Sequence, residues 1–432
     1  MYIDNEFIDG LRRKSQRLSS DVLRQAQKCL LDYFGVVIGG KRFLSLKHPE
    51  LMDVAPSYAF LNAFAAHVLE LDDGHRLGMI HLGAPILSAL MGIVNKEQLS
   101  SDQLLRGIVL GYEVAVRCAR AIQPGHKMHG YHVSGTCGTI GAAMGIAFAL
   151  KYNDKQLKST LACAVSSASG VLEIQEQSSE LKPFNVGRAA MGGVVAAQIG
   201  RLELPGPDDI LGGKRGFLAA FTDTPHPEYL TDFSDDNYAI MGIYQKVHAA
   251  CRHCHPAIDA TLELRDSVHF SLEQIDLIEV HTYKLAVGSH DHIDIKGISS
   301  AKLSTPFSVA LVIVKGRAGY LDYNNENLHD FWIKSITQKV HVIEDDDLTQ
   351  KSPSIRGAKV MIYLKDGTVY EASCLYPKGE PENPLSFDEI EAKFRGLALY
   401  GGLTEAECDE VINEVSKDVL DLNKIFHIVC RK

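Results

Sequence analysis

The chain has 432 residues, and its 44 lysines and arginines stand against 54 aspartates and glutamates, so the formal net charge at pH 7 is −10. This length allows two domains with a large core, and the acidic balance excludes the basic surface of a nucleic-acid-binding protein. No apolar run is long enough to span a membrane, and the N-terminal residues contain no apolar signal-peptide core. Nine scattered cysteines are typical of reduced thiols. We therefore expect a soluble cytoplasmic protein that binds neither nucleic acid nor membrane.

Helical spacing of apolar residues begins near the N-terminus. Residues 20–38 carry them on one face, with Ser20 as the predicted N-cap and Gly39-Gly40 as the predicted stop. Residues 57–71 are rich in alanine and predict a buried helix, which runs into the charged turn 70–76.

Small residues dominate the helices that follow. Ser100 and Gln103 form a capping-box pattern that predicts a helix over 101–122. Further helices dense in small residues are predicted at 140–150, 157–172 and 187–200. Because small side chains let helix axes approach closely, residues 1–244 are predicted to form a large all-helical bundle domain.

The pattern changes after residue 244. Alternation typical of strands occurs at 276–283, 339–343, 358–364 and 368–374. Lys365-Asp366-Gly367 separates the last two stretches and is a strong hairpin signal. Residues 245–375 are therefore predicted to form a smaller α+β lid domain with a small antiparallel sheet.

Helices return after Pro384. Capping-box patterns occur at Ser386 with Glu389 and at Thr404 with Glu407. Residues 376–432 are predicted to be C-terminal helices that pack back on the helical domain. The fold class is thus predicted as mainly α with a smaller α+β domain.

The densest polar stretch is KVHAACRHCHPAID, residues 246–259. Pro256 stands where the following helix has its first turn, a position that tolerates proline. Cations and imidazoles at a helix start favour binding an anion and moving a proton. Two alternatives remain open: a purely structural role, and a zinc site on Cys251, His253, Cys254 and His255. The zinc site lacks a second ligand pair nearby.

Four polar clusters interrupt the otherwise apolar helices: Asp72/Asp73/His75/His81, Tyr131/His132, Lys182/Asn185/Arg188, and residues 246–259. A cleft between the two domains would collect all four, since domain interfaces often carry such sites. Asp72 and Asp73 are interpreted as a general base and a helper that orients a histidine. The alternative is a solvated turn with one aspartate capping the next helix, and His81 alone could be a capped surface histidine.

His132 precedes a glycine-rich helix start at residues 134–139. The backbone N–H groups there could hold a carboxylate, and the positive helix end would keep a nearby histidine neutral, as a base must be. Close helix packing explains the glycines equally well. Lys182 stands before a proline between two apolar helices, and we interpret it as a cation for a substrate carboxylate or for developing charge.

Several motif classes are missing from the sequence. There is no dinucleotide-binding glycine fingerprint, phosphate-binding P-loop, Gly-x-Ser-x-Gly elbow or His-Glu-x-x-His helix. Histidines, lysines and aspartates around an anion site favour proton abstraction next to a carboxylate, followed by elimination, decarboxylation or reprotonation.

These clusters resemble the MmgE/PrpD family, which includes 2-methylcitrate dehydratase, cis-aconitate decarboxylase and iminodisuccinate epimerase. The resemblance covers nearly the whole chain. Its motifs are LELDDGH (69–75) with HLGAP (81–85), GYH (130–132), LKPFNVGRAA (181–190), CRHCHPAID (251–259), STPF (304–307) and PKGEPENPLS (377–386).

The resemblance implies a helical domain with a smaller lid domain, a homodimer, a site between the domains, and chemistry without a metal or other cofactor. It implies catalytic roles for Asp72, Asp73, His81, His132, Lys182 and Lys246. Tyr131, Arg188, Arg252, His253 and His255 are expected to bind substrate.

The substrate is expected to be a small di- or tricarboxylate. The leading hypothesis is a cofactor-free lyase similar to 2-methylcitrate dehydratase. An epimerase of an iminodisuccinate-type dicarboxylate, a cis-aconitate decarboxylase and a non-catalytic polycarboxylate-binding protein are the alternatives. Members that decarboxylate cis-aconitate place a histidine near Cys251 and a tyrosine near Phe307, and both differences count against that activity.

Overall fold

The computed structural model describes residues 2–44, 55–288 and 290–430. The chain folds into two compact units. The first unit comprises Met1–Ile174, Leu181–Tyr244 and Ser386–Lys432, and the second comprises Gln175–Glu180 and Gln245–Leu385. None of the described helices is both long and apolar enough to cross a membrane.

The helices occur in three groups along the chain. The first group is α1 (Ile3–Ser15), α2 (Ser20–Leu44), α3 (Ala55–Val68), α4 (Gly83–Met91), α5 (Val94–Glu97), α6 (Ser101–Ile122), α7 (Gly125–Met128), α8 (Val133–Ala149), α9 (Asp154–Ser167), α10 (Lys182–Gly200), α11 (Phe217–Phe221) and α12 (Glu228–Thr231). The second is α13 (His255–Ser267), α14 (Ile298–Leu303), α15 (Thr305–Lys315), α16 (Asn325–His329), α17 (Phe331–Thr337) and α18 (Asp346–Lys351). The third is α19 (Phe387–Tyr400), α20 (Glu405–Val415) and α21 (Leu422–Cys430).

The close approach of α6 and α8 explains the small residues in the first unit. A Cβ atom added at Gly107 would lie 2.9 Å from the carbonyl oxygen of Gly145, and one added at Gly141 would lie 2.7 Å from that of Gly111. Glycine at these positions therefore lets the two backbones touch. The apolar, small-residue composition of α8 is that of a central helix buried on nearly all sides.

Three predicted capping boxes were confirmed, whereas both predicted ends of α2 were wrong. The boxes at Ser100, Ser386 and Thr404 are all formed. Ser20 is the first residue of the helix and not its N-cap, because Oγ of Ser19 accepts the backbone N–H of Val22 at 3.4 Å. Helix α2 continues past Gly39-Gly40 to Leu44. A Cβ at Gly40 would lie 1.9 Å from the carbonyl oxygen of Ala65, so only glycine fits at this point of close approach. That glycine permits contact with α3 and does not stop the helix.

The four predicted strands are formed as β1 (Ile275–Thr282), β2 (Val340–Glu344), β3 (Ala358–Leu364) and β4 (Val369–Cys374), in the spatial order β2-β1-β3-β4. The β3–β4 hairpin turns at Gly367, whose φ is +89°. β1 also pairs antiparallel with β3 but parallel with β2. The sheet is therefore mixed and not wholly antiparallel, since the helices between β1 and β2 form a crossover long enough for parallel pairing. The mainly α class with a smaller α+β part is confirmed.

Candidate functional site

Asp72 lies between α3 and α4 and binds two imidazoles. Its Oδ2 atom lies 2.7 Å from Nδ1 of His67 and 3.3 Å from Nδ1 of His81. Burial alone would raise the pKa of Asp72, but the charges and hydrogen bonds of the two imidazoles outweigh burial and hold that pKa well below its usual range. Asp72 is therefore an ionised, buried carboxylate that orients two histidines.

The hydrogen bonds of His81 determine which ring nitrogen carries the proton. Nδ1 lies 2.8 Å from the backbone carbonyl oxygen of Asp73, which can only accept, so Nδ1 is a donor. The backbone N–H of His81 donates to Oγ of Ser134 at 3.0 Å and ties the residue to the first turn of α8. In the neutral ring the lone pair is therefore on Nε2, the nitrogen that can exchange a proton with a ligand.

Asp73 holds the start of α4. Its Oδ1 accepts a hydrogen bond from the backbone N–H of Gly83 at 2.7 Å, and its Oδ2 accepts one from the Tyr112 hydroxyl at 2.6 Å. Burial raises the pKa of Asp73 to about 6, although those hydrogen bonds lower it. This carboxylate caps the following helix, as one of the two sequence interpretations had it. The turn is not solvated, because Asp72 and Asp73 are both buried.

His132 is the N-cap residue of α8 and its ring is buried near that of His67, with 6.1 Å between the ring centroids. Its Nδ1 is buried without a hydrogen-bond partner among the described residues. Burial lowers the pKa of His132 well below the usual range, and the charge of Lys182 lowers it further. A pKa lowered in this way favours the neutral ring, and its main cause is burial. The effect of the positive helix end stays a prediction.

Lys182 is the first residue of α10 and forms an ion pair with Glu70. The two side chains are only 14% and 10% exposed. Burial is the main reason for the low pKa of both His67 and His132, and the lysine charge lowers the pKa of both rings further. Glu70 has a φ of +56°, and this left-handed conformation turns the chain from α3 toward Asp72.

The turn that carries Asp72 is supported from α2 and α19. Nζ of Lys393 lies 2.6 Å from Oδ1 of Asp32 and donates to the backbone carbonyl of Leu71 at 2.8 Å. A buried ion pair thus fixes the backbone next to the site, and the position of Asp72 depends on residues distant in sequence.

The polar stretch 246–259 lies in the second unit. Arg252 forms a buried ion pair with Glu380, which reduces its capacity to hold a substrate carboxylate. Lys246 is 1% exposed. Nε2 of His255 lies 3.2 Å from the carbonyl oxygen of Ala250, and burial lowers the pKa of this histidine well below the usual range.

The four residues considered as zinc ligands are not assembled. Cys254 is buried and its sulfur accepts a hydrogen bond from Thr305 at 3.5 Å, and His255 is bound to the Ala250 carbonyl. Cys251 and His253 instead lie with His290, each offering one ligand atom within 4.8 Å of the others.

Two family models match the chain. The MmgE/PrpD N-terminal domain matches residues 47–230, and the MmgE/PrpD C-terminal domain matches residues 248–418. The chain belongs to the MmgE/PrpD family. Relatives of this family member include cis-aconitate decarboxylase of Homo sapiens, 23% identical over 362 residues, or 79% of this chain and 73% of that protein. The enzyme of the same name from Mus musculus is 23% identical over 415 residues, which cover 91% of this chain and 84% of that protein.

The first unit of this MmgE/PrpD protein brings together residues from three of the four predicted clusters. They are Asp72, His81, His132 and Lys182. Asp73 is adjacent, but its carboxylate caps α4. The cleft between domains and the contribution of Lys246 to one shared site stay predictions.

His67 and Glu70 were missed by sequence reasoning. His67 is a buried polar residue in an alanine-rich helix, and that contrast was the available signal. Glu70 lies within the LELDDGH motif but was given no role. Each becomes significant only through a partner that folding brings to it.

Arg188 and Tyr131 have structural partners in the first unit. The Arg188 guanidinium donates to three backbone carbonyls, those of Ser167, Gly135 and Ser169. The Tyr131 ring stacks on His126 with 4.8 Å between centroids. The substrate-binding roles of Arg188 and Tyr131 stay predictions, as does that of His253, whose Nδ1 lies 2.6 Å from the Tyr283 hydroxyl.

The arrangement in the first unit is suited to proton transfer beside an anion. A neutral imidazole, His132, can accept a proton, and a second imidazole, His81, is held in place by the Asp72 carboxylate. The positive charge of Lys182 acts on the first of these rings, and it can also stabilise negative charge on a ligand.

Proposed function

We propose that this MmgE/PrpD protein is a lyase that acts on a small di- or tricarboxylate in the manner of a 2-methylcitrate dehydratase. It removes a proton next to a carboxylate and expels a hydroxyl group from the adjacent carbon. One observation supports this most directly: the buried Nδ1 of His132 has no hydrogen-bond partner among the described residues, and the charge of Lys182 acts on the same ring.

The proposed reaction assigns one proton to each of two histidines. His132 takes the proton from the carbon next to the carboxylate, and the C–H electron pair becomes the π bond of the alkene. The C–O bond breaks, its electron pair leaves with the oxygen, and His81 donates the proton that completes water. Lys182 stabilises the negative charge that develops on the substrate carboxylate. Proton exchange with solvent then restores both rings.

The roles follow from the different surroundings of the two rings. A base must be neutral, and burial keeps the pKa of His132 low. An acid must present its proton to the leaving oxygen, and the Asp72 carboxylate at 3.3 Å orients the ring of His81. Asp72 itself is engaged by two imidazoles, which favours an orienting role over that of the base.

Decarboxylation is the second candidate, and the similarity to the human and mouse cis-aconitate decarboxylases favours it. The same site would then protonate a carbanion left by CO₂ loss. Cys251 and Phe307 still argue against it, and Phe307 is buried within α15 at 2% exposure.

The test is proton NMR in deuterated buffer with 2-methylcitrate, citrate, cis-aconitate and an iminodisuccinate-type dicarboxylate, each incubated separately. A new vinyl signal from 2-methylcitrate is the expected result. CO₂ release from cis-aconitate would replace dehydration by decarboxylation, and loss of the α-proton signal without an alkene would indicate an epimerase. Tight calorimetric binding without turnover would indicate a non-catalytic binding protein.

A matched pair of variants links the reaction to the site. His132→Gln should lower kcat by about 100- to 10,000-fold, the usual contribution of a general base. His129→Gln should not, because His129 lies in the same segment but its side chain is 40% exposed and paired with Asp223. Equal activity in the two variants would overturn the assignment of the base.

A further inference from the structure

Cys251, His253 and His290 form a compact group of ligand atoms in the second unit. One atom from each residue lies within 4.8 Å of the other two, and Sγ of Cys251 lies 3.7 Å from Nε2 of His290. All three side chains are half-buried, so an ion from solvent can reach them. None of them is assigned a proton-transfer step in the reaction proposed above, although His253 is predicted to bind substrate.

The separation of sulfur and nitrogen suits a tetrahedral metal ion. Zinc binds a thiolate at about 2.3 Å and an imidazole at about 2.0–2.1 Å, which at a tetrahedral angle separates the two ligand atoms by about 3.6 Å. The observed 3.7 Å between Cys251 and His290 is close to this value. The remaining ligand, His253, has one ligand atom within 4.8 Å of both of the others.

Hydrogen bonds orient both rings as metal ligands are usually oriented. Nδ1 of His290 lies 2.9 Å from the carbonyl oxygen of Leu303. A carbonyl only accepts, so the proton is on Nδ1 and the lone pair on Nε2, the atom near Cys251. Metal-bound histidines commonly donate their other N–H to a carbonyl in this way.

His253 is fixed by a similar contact. Its Nδ1 lies 2.6 Å from the hydroxyl of Tyr283. Tyr283 is fully buried, and its hydroxyl oxygen can accept the Nδ1 proton of His253. The contact fixes the ring and assigns Nε2 as the nitrogen that would bind an ion.

The end of α14 ties the group to the fold. The carbonyl of Lys302 accepts the backbone N–H of Cys251 at 2.8 Å, and the next residue, Leu303, supplies the carbonyl for His290. Two ligands distant in sequence are thus held by successive residues of one helix end.

We propose that Cys251, His253 and His290 bind a divalent transition-metal ion, with zinc the best match to one sulfur and two nitrogen ligands. Three protein ligands leave a fourth position for water or an anionic group, as in open zinc sites. The assignment does not rest on the steps proposed for His132, His81 and Lys182, but an ion bound by His253 would replace the substrate contact predicted for that residue.

The test uses the full chain, stripped with a chelator and then titrated with Zn²⁺ and, separately, with Co²⁺. We expect one zinc ion per chain by elemental analysis and a thiolate-to-cobalt charge-transfer band. Cys251→Ser should abolish the band. His290→Asn should weaken zinc binding more than the loss of a residue that only orients a ligand, which typically costs about 10- to 100-fold. Cys163→Ser, which removes a half-buried thiol in the first unit, should leave both unchanged.

Three results would overturn the proposal. One is a wild-type protein that binds no zinc. Another is that Cys251→Ser and His290→Asn bind zinc as strongly as the wild type does, which would indicate an adventitious ion only. The third is a charge-transfer band that disappears with Cys163→Ser. Circular dichroism checks the fold of each variant, and His253→Gln replaces any variant that does not fold.

Discussion

Nδ1 of His67 lies 2.7 Å from Oδ2 of Asp72, and both side chains are excluded from solvent. His67 lies in the last turn of α3, and a turn through Glu70 connects that helix to Asp72. The left-handed backbone of Glu70 directs the chain so that the Asp72 carboxylate faces the end of α3. The same Oδ2 faces His81, so the geometry of one carboxylate determines the placement of two imidazoles.

Replacing Asp72 by Asn should therefore reduce turnover without removing the fold. The asparagine of the variant can present its NH₂ group to Nδ1 of His67 and of His81. Because NH₂ is a donor, it disfavours the tautomer in which Nδ1 of His81 carries a proton and donates it. We expect kcat to fall by about 100-fold or more with a smaller change in KM, measured on the substrate found by NMR. Asp223→Asn is the control, since Asp223 is 86% exposed. A wild-type kcat in Asp72→Asn would exclude the orienting role.

The acidic limb of the pH–rate profile should reflect His132. Because burial keeps the pKa of this ring well below 6.5, the base form persists to lower pH than for an exposed histidine. We expect the limb of kcat/KM to lie below pH 6.5. Glu70→Gln removes a negative charge that raises the pKa of His132, so its limb should shift to still lower pH. A limb above the ordinary histidine pKa would contradict His132 as the base.

Lys182 and Arg188 should respond differently to loss of charge. Lys182 carries its charge beside two site histidines, so Lys182→Met should lower kcat strongly. Arg188 uses its guanidinium to hold three backbone carbonyls, so Arg188→Gln should lower the free energy of unfolding by about 1–3 kcal/mol. An unchanged KM in this variant would contradict the substrate-binding role predicted for Arg188. Denaturant unfolding and steady-state kinetics on both variants make the comparison.

Some of this arrangement was predictable from the sequence because its signals are local. The capping box of Ser100 with Gln103 and the hairpin at Gly367 depend only on neighbouring residues, and both are formed. The role of His67 was not predictable, because a buried imidazole gains its meaning from Asp72 and from the backbone turn between them. Similarly, the parallel pairing of β2 depends on the crossover and not on the strand's own pattern.

Acid should destabilise the protein through its buried histidines, and His126 gives a measurable part of the effect. Burial lowers the pKa of His126 from 6.5 to about 4, so the unfolded state binds a proton that the folded state does not. The stability that neutral His126 contributes above pH 6.5 is therefore lost as pH falls toward 4. The free energy of unfolding falls by on the order of 3 kcal/mol over this range, at about 1.4 kcal/mol per pKa unit.

His126→Gln should reduce that pH dependence. The ring bonds Thr136 at 2.8 Å and the Phe221 carbonyl at 3.1 Å, so the variant should be less stable at about pH 7.5 by about 1 kcal/mol or more. The difference from wild type should then shrink as pH is lowered toward about 5. Urea unfolding at several pH values measures it, and parallel stability curves for the two proteins would contradict the prediction.

Two glycines in helices should respond oppositely to an added methyl group. At Gly40 the new Cβ would lie 1.9 Å from the carbonyl oxygen of Ala65, a backbone atom that cannot rotate away. Gly40→Ala should therefore force α2 and α3 apart and lower the free energy of unfolding by about 1–3 kcal/mol or more. At Gly192 in α10 the nearest atom would be a Thr139 methyl at 3.4 Å, an ordinary contact. Gly192→Ala should be neutral or stabilise by up to about 1 kcal/mol, since alanine favours the helix. Thermal unfolding of the two variants tests this directly, because a Gly40→Ala protein as stable as Gly192→Ala would mean that the glycine at position 40 does not bring the helices together.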